Sequence, residues 1–384
     1  MGLVTDRLPD FPWDTLADAA ARARSHPGGI VDLSVGTPVD PTPEVVRAAL
    51  VAAADAPGYP ATAGTPELRE AVARWFARRR GVPDLDPAAV LPTLGSKEMV
   101  ALLPSLLGLG AGDVVLHPAS AYPTYDVGAR LAGATPEPCA DPVARLAADD
   151  AGAVRLVWLN SPGNPDGSVL GIAELRAVVT AARAAQARHG KPVVVVADEC
   201  YAELAWDEPW ASQGVPSLLD PRVTGGSHAG LLVAYSLSKQ SNLAGYRAAF
   251  LAGDGELVAR LLEVRKHAGF MLPAPVQSAM VAALSDDEHV AAQRARYARR
   301  HRLLRAAFEE AGYAVDGSAA GLYLWLRPAA GAQGARATVE DLAGLGILVA
   351  PGTFYGEAGA GHVRAALTAS DERIGEACTR LAGA

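Results

Sequence analysis

The sequence predicts an α/β fold: a large domain with a mostly parallel sheet, and a smaller α+β unit. Three observations predict it. Val193-Val194-Val195-Val196-Ala197 is an unbroken, mostly β-branched run, the pattern of a strand buried on both faces of a parallel sheet. Further apolar runs at 114–117, 155–159 and 231–235 alternate with segments of helical periodicity. The chain has 384 residues, room for two domains at roughly 100–200 residues each.

Taken in order, the first 45 residues are loop-rich and are expected to pack with the smaller unit. A helix opens at Thr65-Pro66, where the threonine can cap and the proline suits the first turn. Leu68, Val72, Trp75 and Phe76 follow at helical spacing, and Gly81 ends the helix. Arg78-Arg79-Arg80 reads as its solvated end. A second helix opens within Thr93–Glu98. Gly108-Leu-Gly-Ala-Gly112 then follows an apolar helix and precedes a strand. A dinucleotide fingerprint needs strand before helix, so this reads as a C-cap and loop. The strand at 155–159 leads to an Ala-rich helix over 172–189, and Pro192 marks entry to the valine run. Past 275, an Arg/Ala-rich helix over 287–312 leads to an alternating strand at 321–326, then an Ala/Gly-rich loop at 328–337. The expected organisation is 1–45 packing with the small domain, 46–274 as the large domain, and 275–384 as the small one.

Composition excludes several classes. Half the residues are hydrophobic and a fifth charged, an ordinary globular balance. The net charge of −8 gives no support to nucleic-acid binding. Cys139, Cys200 and Cys378 are odd in number and far apart, which fits a reducing, cytoplasmic setting. No His-x-x-x-His or Cys-x-x-Cys pattern suggests a metal site. The N-terminal charges do not suit a signal peptide. No apolar run approaches the roughly 18–20 residues that span a bilayer.

In open α/β sheets, ligands sit outside the carboxyl ends of the strands, so the residues after each strand carry the functional reading. Lys239 lies in Tyr235-Ser-Leu-Ser-Lys-Gln-Ser-Asn-Leu-Ala-Gly-Tyr-Arg247, among Ser236, Ser238 and Ser241, with Arg247 eight residues on. An isolated lysine would be a solvated surface group; among hydroxyls and an arginine it can act as an amine nucleophile beside an anion. Asp198-Glu-Cys-Tyr201 follows the valine run, where a carboxylate could cap the next element or face a cationic ring nitrogen. Asn160-Ser-Pro-Gly-Asn-Pro-Asp-Gly167 is by composition a turn. Gly95 and Ser96 open a helix, which is either an ordinary cap or an anion site. Tyr122 and Tyr125 follow the strand at 114–117, and both could be core.

Ser-x-Ser-Lys followed by Gly-Tyr-Arg resembles the cofactor-lysine signature of class I aminotransferases, the fold-type I pyridoxal-phosphate enzymes. The resemblance extends in order over nearly the whole chain. It implies a seven-stranded-type sheet and pyridoxal 5'-phosphate held as a Schiff base on Lys239. It places Arg247, Ser236, Ser238, Gly95, Ser96 and Lys97 at the phosphate, and Tyr122 against the ring. Asp198 would face the ring nitrogen, with Tyr201 and Asn164 at the 3′ oxygen. Gly36, Asn164 and Arg364 would contact the substrate, the arginine gripping its α-carboxylate, and Tyr59 would reach the partner's phosphate in a homodimer. Ser161 stands where the family's loop has proline.

The strings around Lys239, Tyr122 and Asp198 further resemble actinobacterial N-succinyldiaminopimelate aminotransferases. These belong to the succinylase branch of lysine and diaminopimelate synthesis. The implied substrates are N-succinyl-LL-2,6-diaminopimelate and 2-oxoglutarate. Ser241, Asn242 and the region of Phe270-Met271 are candidates for the side-chain pocket. The competing readings are another amino-acid aminotransferase (aspartate, alanine or aromatic), a C–S β-lyase with the same cofactor, and a regulatory module on this fold.

Overall fold

The computed structural model describes residues 4–328 and 334–383. Seven strands form the large sheet: β1 (Val90–Leu94), β2 (Val114–Pro118), β3 (Thr135–Cys139), β4 (Val154–Asn160), β5 (Val194–Asp198), β6 (Leu231–Ser236) and β7 (Ala248–Gly253). Their order is β1-β7-β6-β5-β4-β2-β3, and only β7 runs antiparallel to its neighbours. The valine run is central and buried throughout. Val195 and Ala197 face one hydrophobic layer, while Val194 and Val196 face the other. The expected strands at 114–117, 155–159, 193–197 and 231–235 are thus four of the five inner strands; the fifth is β7. The edge strands β1 and β3 carry prolines at Pro92, Pro136 and Pro138, which ladders tolerate at edges.

Helices cover both faces. Pro66–Arg79 and Ile172–His189 pack on one, Ser96–Leu106 and Thr124–Ala132 on the other. Thr65 caps its helix by accepting from Leu68 N at 3.2 Å. The helix Ala274–Ser285 lies just past the expected boundary at 274, yet packs on Glu44–Ala52 and Pro66–Arg79 in the larger body.

A smaller body follows. Its sheet runs Ala350–Pro351, Val363–Ala366, Tyr323–Arg327, Ala314–Val315, all antiparallel. The helices Glu288–Glu310 and Asp371–Ala382 cover it. Val31–Asp32 pairs in parallel with Ile347–Leu348, which ties the N-terminal segment to this body. The strand expected to alternate does not: Tyr323, Leu324, Trp325 and Leu326 are all buried. Leu324 and Leu326 enter the small core, while Trp325 packs against Ala350 and Tyr355. Of the expected loop at 328–337, residues 329–333 lie outside the described residues, and a helix begins at Ala335. Among the described residues, no helix is long and apolar enough to cross a membrane, and no cluster could hold a metal ion.

The arginine triplet corrects the sequence reading. Arg80 is not solvated: its guanidinium is 2% exposed and pairs with Glu199 at 2.8 Å. Arg79 pairs with Glu203 at 2.5 Å and Arg78 with Asp287 at 2.9 Å. Buried charges need such partners.

Candidate active site

The carboxyl ends of β4, β5 and β6 meet the smaller body around a cavity of about 510 Å³. Lys239, Asp198, Tyr201, Ser96, Lys97, Tyr122, Asn164, Ser236, Ser238, Arg247, Gly36 and Arg364 all line it. Tyr59 does not; it is 95% exposed on the surface. Gly95 lies just behind the lining, beside Arg247.

Lys239 sits in the short helix Leu237–Gln240 directly after β6, and its amine donates to Gly36 O. Burial lowers its pKa, with Arg364 and Arg247 acting the same way. The amine is therefore easier to keep neutral than a surface lysine.

Asp198 closes β5 and is buried. Its Oδ1 accepts from Cys200 N at 3.2 Å and its Oδ2 from the Tyr125 hydroxyl at 3.0 Å. Among the described residues no side-chain cation lies within ion-pair distance of it. Burial raises its pKa despite these donors. A buried carboxylate with only neutral donors is suited to a cationic ligand atom. Behind it, Glu199 is fixed by Arg80, by the Ser217 hydroxyl at 3.0 Å and by Leu218 N at 2.7 Å. The next turn is tied by Arg79 to Glu203. The segment carrying Asp198 and Tyr201 is thus clamped on its far side.

Asn160, at the end of β4, orients the following loop. Its side-chain amide donates to Pro162 O and Asp198 O, and its Oδ1 accepts from Asn164 N at 2.8 Å. Asn164 Oδ1 then accepts from Arg364 Nη1 at 2.9 Å. Arg364 Nη2 donates to Ser34 O at 2.6 Å, and its buried Nε has no partner. The guanidinium lies 3.8 Å from the Tyr323 ring centroid and 4.8 Å from that of Tyr355, planar packing that suits arginine.

An anion cradle occupies another wall. Gly95 precedes the helix Ser96–Leu106 with φ 82°, a conformation glycine adopts freely. A Cβ there would lie 2.0 Å from Arg247 Nη2, so glycine also makes room for the guanidinium. The helix N-terminus, Arg247 and the hydroxyls of Ser236 and Ser238 converge on the cavity. Amide donors at a helix start, joined by a guanidinium, are a phosphate-binding set. Lys97 turns away from this set. Its Nζ lies 5.7 Å from the Phe11 ring centroid and 5.9 Å from that of Tyr122.

Sequence reasoning missed Tyr125, Cys200, Tyr323, Phe11 and Trp13, which also line the cavity. Tyr125 is core, but its hydroxyl serves Asp198. The proposed side-chain residues lie elsewhere. Ser241 bonds His289 at 2.8 Å, Asn242 bonds Gln293 at 3.0 Å, and Phe270 covers Arg265. Neither Phe270 nor Met271 lines the cavity.

Lysine, unpaired carboxylate and anion cradle fit pyridoxal 5'-phosphate: an amine for its aldehyde, a counter-charge for its ring nitrogen, donors for its phosphate. Fold and site together define a pyridoxal-phosphate-dependent transferase. The chain belongs to the aminotransferase class I and II family, whose model matches residues 29–381. It is 55% identical to a 4-dedimethylamino-4-oxo-anhydrotetracycline transaminase of Streptomyces rimosus, over 97% of this chain and 99% of that one. It is 57% identical to a probable aminotransferase of Mycobacterium tuberculosis, over 99% and 87%. Among solved structures it resembles a probable N-succinyldiaminopimelate aminotransferase of Thermus thermophilus. That match has a TM-score of 0.84 and 30% identity, over 97% of this chain and 100% of that one.

Proposed function

We propose that this aminotransferase takes N-succinyl-LL-2,6-diaminopimelate as amino donor and 2-oxoglutarate as acceptor, in the cytoplasm and as a homodimer. The observation that carries the substrate class is the pair of cations in one cavity. Arg364 is buried with a partnerless Nε, and Lys97 is exposed at the cavity wall. A substrate with several carboxylates suits both. The likeness to the Thermus thermophilus protein supports the same choice.

When bound, pyridoxal 5'-phosphate supplies an electron sink for the pair left at the substrate Cα. Arg364 holds the α-carboxylate in a planar fork. Lys239 Nζ is the amine that would hold the cofactor's aldehyde, and once free it would be the base placed to hold and return the substrate Cα proton. Asp198 would hold the positive charge at the ring nitrogen, Tyr201 and Asn164 would bond the ring oxygen, and Tyr122 would cover the ring. Gly95, Ser96, Ser236, Ser238 and Arg247 would hold the phosphate. Lys97 serves the substrate's distal carboxylates, and Tyr59 acts across the dimer.

A second reading has a specific basis. The Streptomyces rimosus relative is named for a 4-oxo-anhydrotetracycline, and Phe11, Trp13 and Tyr122 give this cavity aromatic walls. Mixing the holoenzyme with N-succinyl-LL-diaminopimelate separates the two. Conversion of the visible absorbance to the amine form of the cofactor, restored by 2-oxoglutarate, supports the first. No change with this compound, but conversion by the 4-amino counterpart of the anhydrotetracycline in that relative's name, supports the second.

A further inference from the structure

The smaller body contributes a second tyrosine whose hydroxyl meets that of Tyr201. Tyr323 is buried in the strand Tyr323–Arg327, and the two oxygens lie 3.2 Å apart. Among the described residues the Tyr323 hydroxyl has no other hydrogen-bond partner. Three neighbours fix its position. Its ring packs edge-on against Tyr201, with centroids 5.7 Å apart. The Arg364 guanidinium lies on its face. Gly36 clears space for the hydroxyl, since a Cβ there would come within 2.2 Å of Tyr323 Oη.

We propose that Tyr323 is a positioning residue for Tyr201, donating its hydroxyl proton to Tyr201 Oη so that the proton of Tyr201 is directed at the ring oxygen of the cofactor. A phenol has one proton and can also accept. If Tyr201 spends its proton on the cofactor, its own oxygen is left as acceptor, and Tyr323 is the donor in reach. The contact also bridges the two bodies, linking the residue beside Arg364 to the one beside Asp198. Burial raises the pKa of Tyr201. Burial acts the same way on Tyr323, but the positive Arg364 guanidinium lies 3.8 Å from its ring centroid, and a cation on that face favours Tyr323 as the donor. Hydrogen bonds in such a chain strengthen one another. The inference rests on the assignment of Tyr201 to the ring oxygen and not on the choice of substrate.

The test is a pH titration of the visible absorbance of the holoenzyme, without substrate, in Tyr201→Phe, Tyr323→Phe and the double variant. The band reports the proton on Lys239 Nζ when the cofactor is attached. A donor at the ring oxygen stabilises negative charge there and so lowers the affinity of Nζ for its proton. Tyr323→Phe keeps the ring and its packing, and should raise the midpoint by about half a unit to one unit. Tyr201→Phe should raise it further, and the double variant should match Tyr201→Phe alone. A midpoint unmoved or lowered by Tyr323→Phe, with Tyr201→Phe raising it, overturns the inference and leaves the Tyr201 assignment standing. Additive shifts also overturn it, because Tyr323 would then act independently of Tyr201. An unmoved midpoint in Tyr201→Phe overturns both.

Discussion

The floor of the cavity and its aromatic side are built differently. On the floor, Asp198 is buried, receives two hydrogen bonds, and sits on a segment whose next residue, Glu199, is locked by Arg80, Ser217 and Leu218. On the aromatic side, Lys97 is exposed and Phe11 is 54% exposed. The contrast separates two tasks. Chemistry common to all substrates needs groups fixed before binding, whereas contacts that choose a substrate can stay open to water until it arrives. Substitutions on the floor should therefore cost folding or turnover, and those on the aromatic side selectivity.

The largest expected effect breaks the clamp beneath the floor. Arg80→Ala leaves Glu199 buried without its cation and should cost about 3–5 kcal/mol, read by denaturant unfolding. Replacing both partners with apolar residues should recover much of that loss. Asp198→Asn keeps the shape but removes the charge; kcat should fall by roughly 10²–10³-fold, with thermal stability little changed. If kcat survives, Asp198 is structural and the floor is no different from the aromatic side.

A third effect, of about 3 kcal/mol, belongs to the smaller body and leaves the site alone. His301 stacks on Trp206 with ring centroids 5.5 Å apart. Burial lowers its pKa from 6.5 to about 4, helped by Arg305 and opposed by Asp207. Below pH 6.5 the unfolded chain takes up a proton that folded His301 refuses until about pH 4. Stability should fall as the pH drops through that window and level off beneath it. His301→Phe should flatten the slope in unfolding measured across that range. The smallest effect is on the aromatic side. Lys97→Ala should raise KM about tenfold, roughly 1.4 kcal/mol, for a multi-carboxylate donor, with little change for a monocarboxylate one. Equal changes for both would place Lys97 with the fixed groups.

The floor was also the more legible region in the sequence. Its residues follow inner strands with unmistakable apolar runs, so Asp198, Lys239 and the Asn160–Gly167 loop stand out by position as well as by motif. Arg80 was misread because its partner is 119 residues away, and a helix-terminal arginine alone looks solvated. Tyr125 and Tyr323 sit in apolar patterns where a tyrosine reads as core, and packing does bury both. Only the partners of their hydroxyls reveal a second use. Lys97 belongs to a helix-start motif that suggests the anion cradle, yet its side chain points at Phe11 and Tyr122. Motif spacing locates a residue on the chain but does not set where a long side chain goes.

The central claim is that Lys239 carries the cofactor. Borohydride reduction of the holoenzyme, digestion and mass analysis of the peptides test it most directly. The account predicts that the peptide containing Lys239 gains the mass of a reduced pyridoxyl phosphate group, and that Lys239→Ala loses both that adduct and the visible absorbance. An adduct on another lysine, with Lys239 unmodified, would contradict it.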